Sequence, residues 1–233
     1  MFEDELIAIF DRYHYKLSNE QVILFKKYYD LLIEWNEKFN LTTITSQKDV
    51  IVKHFLDSVT ALSFIPQGSS VLDLGCGAGF PGIPLKIMRP DIKLTLVDSV
   101  NKKIMFLDEV ITSLSLKDVV AIHVRAEDLA IKDAFREKYD VVLSRAVANM
   151  STLSEYCIPF VQIDGVFIAY KSKDWQLELE QSQNAIKILG GKVCKKVEFD
   201  IENNQRCLII VEKKSKTPKN YPRSKNKPRI SPL

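Results

Sequence analysis

The N-terminal part of the chain carries the apolar spacing of a helix. Between Ser18 and Asn40 an apolar residue recurs at every third or fourth position, namely at Val22, Phe25, Tyr29, Leu32, Trp35 and Phe39. This spacing places one apolar stripe along an amphipathic helix of about five turns. Ser18 and Gln21 have the spacing of a capping box, and Asn40 is a natural helix end, so the sequence also predicts where this helix begins and stops.

Weaker helical patterns lie on both sides of this segment. They predict further helices over residues 3–13 and 50–64. The segment 66–70, Pro-Gln-Gly-Ser-Ser, is rich in turn-forming residues and predicts a hinge. Residues 1–65 are therefore expected to form a helical extension packed on a main domain.

Beyond the hinge, short apolar runs alternate with segments of helical period. The runs predict strands at 71–74, 93–97, 119–124, 140–144 and 165–170. The segments between and after them predict helices at 82–89, 100–115, 150–160 and 174–189. Apolar runs this continuous are typical of parallel strands that are covered on both faces, so we expect an α/β fold.

The C-terminal part departs from this alternation. Two apolar runs, 192–199 and 207–212, follow Gly190–Gly191 with no helical segment between them. They predict an antiparallel hairpin at the sheet edge, and hence a seven-stranded, mostly parallel sheet with its last strand reversed. The main domain is expected to span 66–214. The proline-rich tail, 215–233, has no regular period, so we expect it to be extended and mobile until a partner binds it.

The composition is that of a soluble globular protein, with 46% hydrophobic and 27% charged residues. No apolar run is long enough to span a membrane, and the acidic N-terminus lacks the basic region of a secretory signal. The four cysteines form no C-x-x-C pair, and the three histidines are scattered. We therefore expect a cytoplasmic, monomeric protein without a metal site.

The charge is distributed unevenly along the chain. From Glu212 onward there are eight basic residues and one acidic residue, which leaves 25 basic and 29 acidic residues in 1–211. A tail of charge +7 on a body of charge −4 predicts a polyanionic partner, although a tail that is merely solvated would look the same.

A glycine-rich turn follows the first predicted strand. Residues 71–82 read Val-Leu-Asp-Leu-Gly-Cys-Gly-Ala-Gly-Phe-Pro-Gly. Gly75, Gly77 and Gly79 let the backbone reach positive φ and approach a ligand closely. A strand, a glycine turn and a helix N-terminus together predict a site for the ribose or phosphate part of a nucleotide-like ligand. Asp98 ends the next predicted strand, where a carboxylate can accept hydrogen bonds from ribose hydroxyls.

Two ligand classes share this arrangement. Gly77, Gly79 and Gly82 also spell G-x-G-x-x-G, the dinucleotide fingerprint, which is weak on its own. Asp73 has no role in pyrophosphate binding, but it is well placed to act on the amino end of a methionine-like group. The C-terminal strand pair points the same way, since dinucleotide-binding folds usually continue the parallel alternation. The sequence thus favours a Rossmann-like class I methyltransferase fold with S-adenosylmethionine as its cofactor.

Several short motifs strengthen this interpretation. They are Asn40–Ile44 (N-L-T-T-I), Lys53–Ser58 (K-H-F-L-D-S), Asp73–Gly82, Val97–Val100 (V-D-S-V), Arg125–Glu127 (R-A-E), Ser144–Ala146 (S-R-A) and Tyr221–Arg223 (Y-P-R). Together, in this order and over essentially the whole chain, they resemble the bacterial 16S rRNA guanine-N7 methyltransferases, the glucose-inhibited division protein B family. Ser224 and Asn226 depart from the family, which usually has lysine and glycine at these positions.

The resemblance implies methyl transfer from S-adenosylmethionine to N7 of one guanine in 16S rRNA, either free or within the small ribosomal subunit. It also implies cofactor contacts at Gly75, Phe80, Asp98, Ser99, Val100, Ala126, Glu127 and Arg145. Expected RNA contacts are Lys171, which ends the fifth predicted strand, and, in the tail, Lys219, Tyr221, Arg223, Lys225, Lys227 and Arg229.

The chemistry of this reaction requires positioning rather than a base, because guanine N7 already carries an available lone pair. Arg145 is expected to grip the exocyclic oxygen of the base or a nearby phosphate. His54 and Asp57 are three residues apart on a predicted helix and so face the same side. They are expected either at the mouth of the site or as a buried pair that ties the helical extension to the main domain.

Other classes of function stay open at this point. A nucleotide-dependent oxidoreductase would share the glycine turn, and a non-catalytic RNA-binding assembly factor would share the fold. A methyltransferase that acts on a small molecule or a protein would share both features, although the basic tail argues against it.

Overall fold

The structure, a computed structural model, describes residues 1–145 and 148–233. Within them the strands are β1 (Ser70–Leu74), β2 (Lys93–Asp98), β3 (Val119–His123), β4 (Tyr139–Arg145), β5 (Val161–Lys171), β6 (Gly191–Ile201) and β7 (Asn204–Lys213). The helices are α1 (Phe2–Arg12), α2 (Asn19–Phe39), α3 (Gln47–Asp49), α4 (Asp57–Val59), α5 (Gly82–Met88), α6 (Asn101–Ser113), α7 (Ala126–Leu129), α8 (Met150–Cys157), α9 (Trp175–Ile188) and α10 (Lys227–Ile230).

The seven strands of the described residues form one sheet, in the order β3-β2-β1-β4-β5-β7-β6. Strands β1 to β5 run parallel, and β7 lies antiparallel between β5 and β6. The predicted mostly parallel sheet with a C-terminal antiparallel hairpin is confirmed. The strand order reverses between β1 and β4, and in such sheets ligands bind outside the carboxyl ends of the strands at this point.

Several predicted elements differ from the structure, and three of the differences have a clear reason. The segment 50–64 is not one regular helix, because a π-helix, Val50–Leu56, lies between α3 and α4. Strand β5 begins at Val161, and its polar residues before Gly165 concealed this start. Helix α8 ends at Cys157 and continues only as a 3₁₀ turn, because Pro159 has no N–H to donate to the preceding turn.

Aromatic side chains of the N-terminal helices pack directly on the glycine-rich turn. Tyr28 on α2 is fully buried, and its hydroxyl donates to the carbonyl of Ala78 in the turn. The Tyr28 ring lies 5.4 Å from the ring of Phe55 and 5.5 Å from that of Phe80. A second apolar cluster, which includes Met150 and Trp175, lies under α8 and α9. The N-terminal helices therefore form one wall against which the turn is held.

The tail packs on the body, so the prediction of an extended, mobile tail is wrong. The Arg223 guanidinium donates to both carboxylate oxygens of Glu155, at 2.9 Å from Nε to Oε1 and 2.7 Å from Nη2 to Oε2. Arg136 donates to the carbonyls of Thr217 and Tyr221, each at 2.9 Å. Glu155 on α8 is fully buried, and a buried carboxylate requires such a partner. The apolar pattern of α8 gave no sign that this acid is buried.

Replacing Arg223 with alanine is expected to destabilise the fold. The change leaves the buried carboxylate of Glu155 without its guanidinium partner, and we expect a loss of about 3 kcal/mol in the free energy of unfolding. Urea unfolding would measure it. Lys219→Ala, at an exposed position of the same tail, is the control and should change stability by less than about 0.5 kcal/mol. Equal effects of the two substitutions would show that the Arg223–Glu155 pair does not anchor the tail.

Among the described helices, none combines the length and the apolar character that crossing a membrane requires.

Candidate functional site

The glycine-rich turn lies at the carboxyl end of β1 and is tied to the end of β2. The amides of Gly75 and Cys76 both donate to the carbonyl of Val97, at 2.8 and 3.1 Å. Gly75, Gly77 and Gly79 all have positive φ, at 73°, 60° and 95°, as predicted for a turn of this kind. The turn therefore has a fixed shape that its glycines make possible.

The glycines of the turn serve two different purposes. A Cβ on Gly79 would lie 2.7 Å from both the Ile83 side chain and the Tyr28 hydroxyl, so this glycine is needed for packing. A Cβ on Gly77 would meet nothing closer than Lys103 Nζ at 4.0 Å. Gly77 therefore presents its backbone to open space, which suits a ligand that must approach the chain closely.

Asp98 is held rigidly beside this turn. Its Oδ2 accepts from the Gly77 amide at 3.0 Å, and its Oδ1 accepts from the Val100 amide at 2.9 Å. Lys103 Nζ lies 3.4 Å from Oδ2. Oδ1 retains a free lone pair after these contacts, and the second acceptor position of Oδ2 is engaged only by the long Lys103 contact, so Asp98 can accept hydrogen bonds from a pair of hydroxyl groups that replaces this ammonium.

A cavity of about 460 Å³ opens above Asp98. Its volume is within the usual range for small-molecule sites. Of the residues predicted to contact a cofactor, those that line it are Gly75, Gly77, Phe80, Asp98, Ser99, Val100, Ala126, Glu127 and Arg145. The structure thus brings together residues from four successive strand ends, in the place where the sequence predicted a ligand.

Two predicted cofactor residues, Asp73 and Gly79, are not among the residues that line this cavity. Asp73 is fully buried beneath the turn, where its Oδ2 accepts from the Gly82 amide at 2.8 Å. Its Oδ1 is a buried oxygen for which the described residues provide no hydrogen-bond partner. Burial raises the pKa of Asp73 to about 7, even though the Gly82 hydrogen bond opposes this shift. From this position Asp73 supports the turn from below.

Arg145 connects the cavity to the N-terminal helices. Its Nη1 donates to the carbonyl of Lys53 at 3.0 Å and to Asp57 Oδ2 at 2.8 Å, while Nη2 lies 3.1 Å from His54 Nδ1. Its guanidinium carbon also lies 5.3 Å from the centre of the Phe80 ring. His54 and Asp57 are both buried and both contact Arg145, and His54 also lines the cavity.

His54 is held as a neutral ring. Burial, reinforced by the neighbouring Arg145 guanidinium, lowers the pKa of His54 to about 3. Because Arg145 can only donate, His54 Nδ1 is the acceptor, and Nε2–H donates to Thr42 Oγ1 at 3.0 Å. The ring stacks on Phe80 with 4.3 Å between centres. Both nitrogens are therefore occupied, and the ring serves as part of the wall.

Substituting His54 with glutamine is expected to remove a pH-dependent part of the stability. The folded pKa of about 3 lies below the ordinary value of 6.5, so on acidification the unfolded chain takes up the proton first. This contribution is complete above pH 6.5 and is lost as the pH falls towards 3. Between pH 7.5 and 5.5, the unfolding free energy of the unaltered protein should fall by about 1.4 kcal/mol more than that of the variant.

Urea unfolding of both proteins at both pH values measures how much the unfolding free energy of each one changes with pH. The difference between these two changes isolates His54, because the contributions of all other titrating groups cancel. Parallel pH dependences would mean that His54 titrates in the folded protein as it does in the unfolded chain.

Several residues at this edge of the sheet were missed by sequence reasoning. Thr42, Lys103 and Tyr156 line the cavity, and so does Asn226 of the tail. Lys103 had a usable signal, since it lies on the first turn of the helix after Asp98. Arg206 on β7 had none, yet its Nε donates to Asp57 Oδ1 at 3.0 Å.

The predicted RNA contacts divide into two groups. Tyr221 and Arg223 anchor the tail through their contacts with Arg136 and Glu155. Lys171 is buried and donates to Glu178 and to the Ala148 carbonyl. The other members of the predicted set are exposed, namely Lys219, Lys225, Lys227 and Arg229. Of the motif Ser144–Ala146, Ala146 lies outside the described residues.

Two solved structures that share this fold are a protein in complex with AdoMet and a ribosomal protein methylase. The crystal structure of M. jannaschii TYW2 in complex with AdoMet superposes with a TM-score of 0.56 at 16% identity, covering 68% of this chain and 76% of that one. The ribosomal protein L11 methylase from Lactobacillus delbrueckii subsp. bulgaricus has a TM-score of 0.54 at 15% identity, covering 70% and 79%. At these identities the similarity shows the fold, and the predicted Rossmann-like methyltransferase fold is confirmed.

A family model described as rRNA small subunit methyltransferase G (GidB) matches residues 21–209. The chain belongs to this family. Members named Ribosomal RNA small subunit methyltransferase G include that of Desulforamulus reducens, 48% identical over 94% of this chain and 93% of its own length. That of Lactobacillus acidophilus is 45% identical over the full length of both chains. The predicted resemblance to the GidB family is thereby confirmed.

Proposed function

We propose that this protein transfers a methyl group from S-adenosylmethionine to N7 of a guanine in 16S rRNA, in the cytoplasm. The observation that carries the proposal is the cavity at the glycine turn, where the carboxylate of Asp98 is fixed by two backbone amides, in a member of the GidB family. A paired ribose diol is the group that such a carboxylate recognises.

The residues present fit the proposed cofactor. Gly77 leaves room for a ligand against the backbone, and Asp98 offers acceptors for the ribose hydroxyls. Ala126 and Glu127, at the start of the helix α7 that follows the third strand, line the same cavity and are assigned to the adenine. Asp73 lies under the turn and outside the cavity, so it is assigned an indirect role, in which it holds the turn backbone that faces the methionine end. S-adenosylmethionine supplies an electrophilic methyl group on a sulfonium centre.

The surroundings of the cavity suit an acceptor that needs no base. Guanine N7 has an available lone pair, and His54, with both ring nitrogens hydrogen bonded, does not act as a base. Methylation makes the purine positive, so an uncompensated cation beside it would oppose the reaction. Asp57 accepts from both Arg145 and Arg206 and thereby offsets one of the two positive charges of these guanidinium groups.

The function is tested by S-adenosylmethionine binding and by mapping the modified base. We expect calorimetry to detect binding of S-adenosylmethionine, and borohydride and aniline treatment to cleave 16S rRNA at one guanine only when the protein has been present in the cell. Binding of NAD(H) in preference to S-adenosylmethionine would favour the oxidoreductase. Cofactor binding without cleavage at any guanine would overturn the assignment of N7, and RNA binding without cofactor binding would leave a non-catalytic assembly factor.

Exposed lysines of the tail are assigned to the RNA backbone. Glutamine at Lys219, Lys225 and Lys227 together is expected to weaken RNA binding and to flatten its dependence on salt. Each lost phosphate contact reduces the slope of log K against log salt by about 0.7–0.9, so the three changes should reduce it by about 2 to 3. Filter binding of 16S rRNA between low and moderate salt would measure both slopes.

A charge-matched control separates local contact from net charge. The control carries glutamine at three lysines that are exposed elsewhere on the surface, Lys27, Lys117 and Lys132. It loses the same total charge, so a slope that changes equally in the two triple variants would show that the tail has no special role.

A further inference from the structure

A second cavity, of about 540 Å³, adjoins the first. His54, Arg145 and Ala148 line both cavities and form the partition between them. Ligands that occupied both would therefore meet at the Arg145 guanidinium. An arrangement of this kind suits a reaction in which one group passes between two bound molecules.

The register of strands β4, β5 and β7 brings Arg145, Lys171 and Arg206 together at the second cavity. Arg145 at the end of β4 pairs with Tyr170 on β5, and the next residue, Lys171, pairs with Cys207 on β7. Arg206 precedes Cys207, so the reversed strand delivers it to the carboxyl edge of the parallel strands. There it donates to Asp57, the same carboxylate that accepts from Arg145.

The charges that line this cavity suit a nucleotide. Four cationic residues line it, Lys53, Arg145, Lys171 and Arg206, against two carboxylates, Asp57 and Glu178. Lys53 and Arg206 are the more exposed cations, with 38% and 24% of their side chains accessible, whereas Arg145 and Lys171 are at 12% and 8%. Phosphate groups stay partly solvated, so the outer pair suits a phosphate and the inner groups suit a base.

The carboxylate of Glu178 adds a preference for guanine. It accepts from Lys171 Nζ and from the Met150 amide, both through Oε2. A carboxylate oxygen can accept from the N2 amino group of guanine, a donor that adenine lacks. The lysine and arginine donors nearby match the O6 acceptor of the same base.

We propose that this second cavity receives the acceptor nucleotide, a guanosine of the RNA turned out of its stack, and that Arg206 positions it through Asp57 and through its phosphate. This assignment rests on the proposed function, since it names where the RNA substrate of that reaction lies. The base must leave its stack to reach a cavity of this kind, at a cost of a few kcal/mol.

The test plugs the second cavity and leaves the first one unchanged. Ser172 is exposed and, of the two cavities, lines only the second. Ser172→Trp is expected to lower kcat/KM for small ribosomal subunits from cells lacking this protein by about 30-fold or more, with S-adenosylmethionine affinity within about twofold of the unaltered protein. Ser113→Trp, which adds the same side chain at the exposed end of α6, is the matched control.

Arg206 supplies the second arm of the test. Arg206→Gln should raise KM for the subunits about tenfold with a smaller change in kcat, and Arg206→Lys should recover part of the loss. A purely structural role would change kcat, KM and cofactor affinity without rescue by lysine. Unchanged kcat/KM in Ser172→Trp, or a loss of cofactor affinity equal to its loss of methylation, would overturn the assignment. Failure of the unaltered protein to bind S-adenosylmethionine or to methylate the subunits would instead overturn the proposed function.

Discussion

Replacing Asp98 with alanine is expected to abolish measurable binding of S-adenosylmethionine. The carboxylate is buried, with two backbone amides fixing its two oxygens, so its remaining acceptor positions are aimed before any ligand arrives. Hydrogen bonds from ribose hydroxyls to a charged group contribute about 1.5–3 kcal/mol each. Loss of two such bonds predicts an affinity about 10² to 10⁴ times lower, which calorimetry with S-adenosylmethionine and S-adenosylhomocysteine would detect.

The matching control is Asp108→Ala. Asp108 is an exposed carboxylate on α6, the helix that follows Asp98, so the two substitutions change the net charge equally. The control should bind the cofactor as the unaltered protein does. Thermal unfolding of both variants establishes that each is folded. If Asp98→Ala retained an affinity within about threefold of the control, the ribose would have to be bound elsewhere.

The part of this site that the sequence predicted is the part built by a single strand–turn–helix unit and its neighbour. Gly75 and Gly77 lie on one turn, and Asp98 ends the adjacent parallel strand, so short-range pattern and strand alternation were enough to place them, whereas Phe80 on the same turn was predicted from the family resemblance. The seven-stranded topology followed in the same way, from the apolar runs and from the missing helix between the last two.

The missed residues depend on contacts between distant parts of the chain. Arg206 meets Asp57 across 149 positions, and only because β7 inserts between β5 and β6. Asn226 stands where related sequences are expected to have glycine. Its backbone has a φ of 58°, in the left-handed region. Glycine adopts this region easily, and asparagine is one of the few other residues that does so readily, which explains why either residue fits here. Its side chain then accepts from the Tyr156 hydroxyl at 3.2 Å. Neither contact leaves a periodic trace in the sequence.

The order of the tail also depends on contacts with distant parts of the chain, which the sequence pattern does not show. Its prolines and basic residues predict a disordered segment when they are considered alone. Arg136 and the buried Glu155 lie far from the tail in the sequence, and their contacts with the tail carbonyls of Thr217, Pro218 and Tyr221 and with Arg223 decide the outcome. The composition of the tail predicts how it behaves in isolation, whereas its order in the folded protein depends on Arg136 and Glu155, which other parts of the chain provide.

Replacing Arg145 with lysine is expected to lower kcat for methylation by about 10² to 10³-fold, and lysine should serve little better than alanine. The planar guanidinium contacts the Lys53 carbonyl, Asp57 and His54 at the same time, and it lies against the Phe80 ring at the partition between the two cavities. A lysine ammonium is a point charge without this fork and cannot hold all of these partners in one geometry. The reacting groups would then lose alignment even though the positive charge is retained.

The kinetics of the Arg145 variants separate alignment from simple loss of binding. We expect the S-adenosylmethionine affinity of Arg145→Lys to fall much less than its kcat, because the Asp98 side of the cavity is unchanged. Arg12→Lys, at an exposed arginine on α1 that pairs with Glu202, makes the same chemical change far from the partition and should keep kcat intact. A kcat within about threefold of the unaltered protein in Arg145→Lys would show that charge alone is required at this position. In that case the fork geometry that joins the N-terminal helices to the end of β4 would serve stability rather than catalysis.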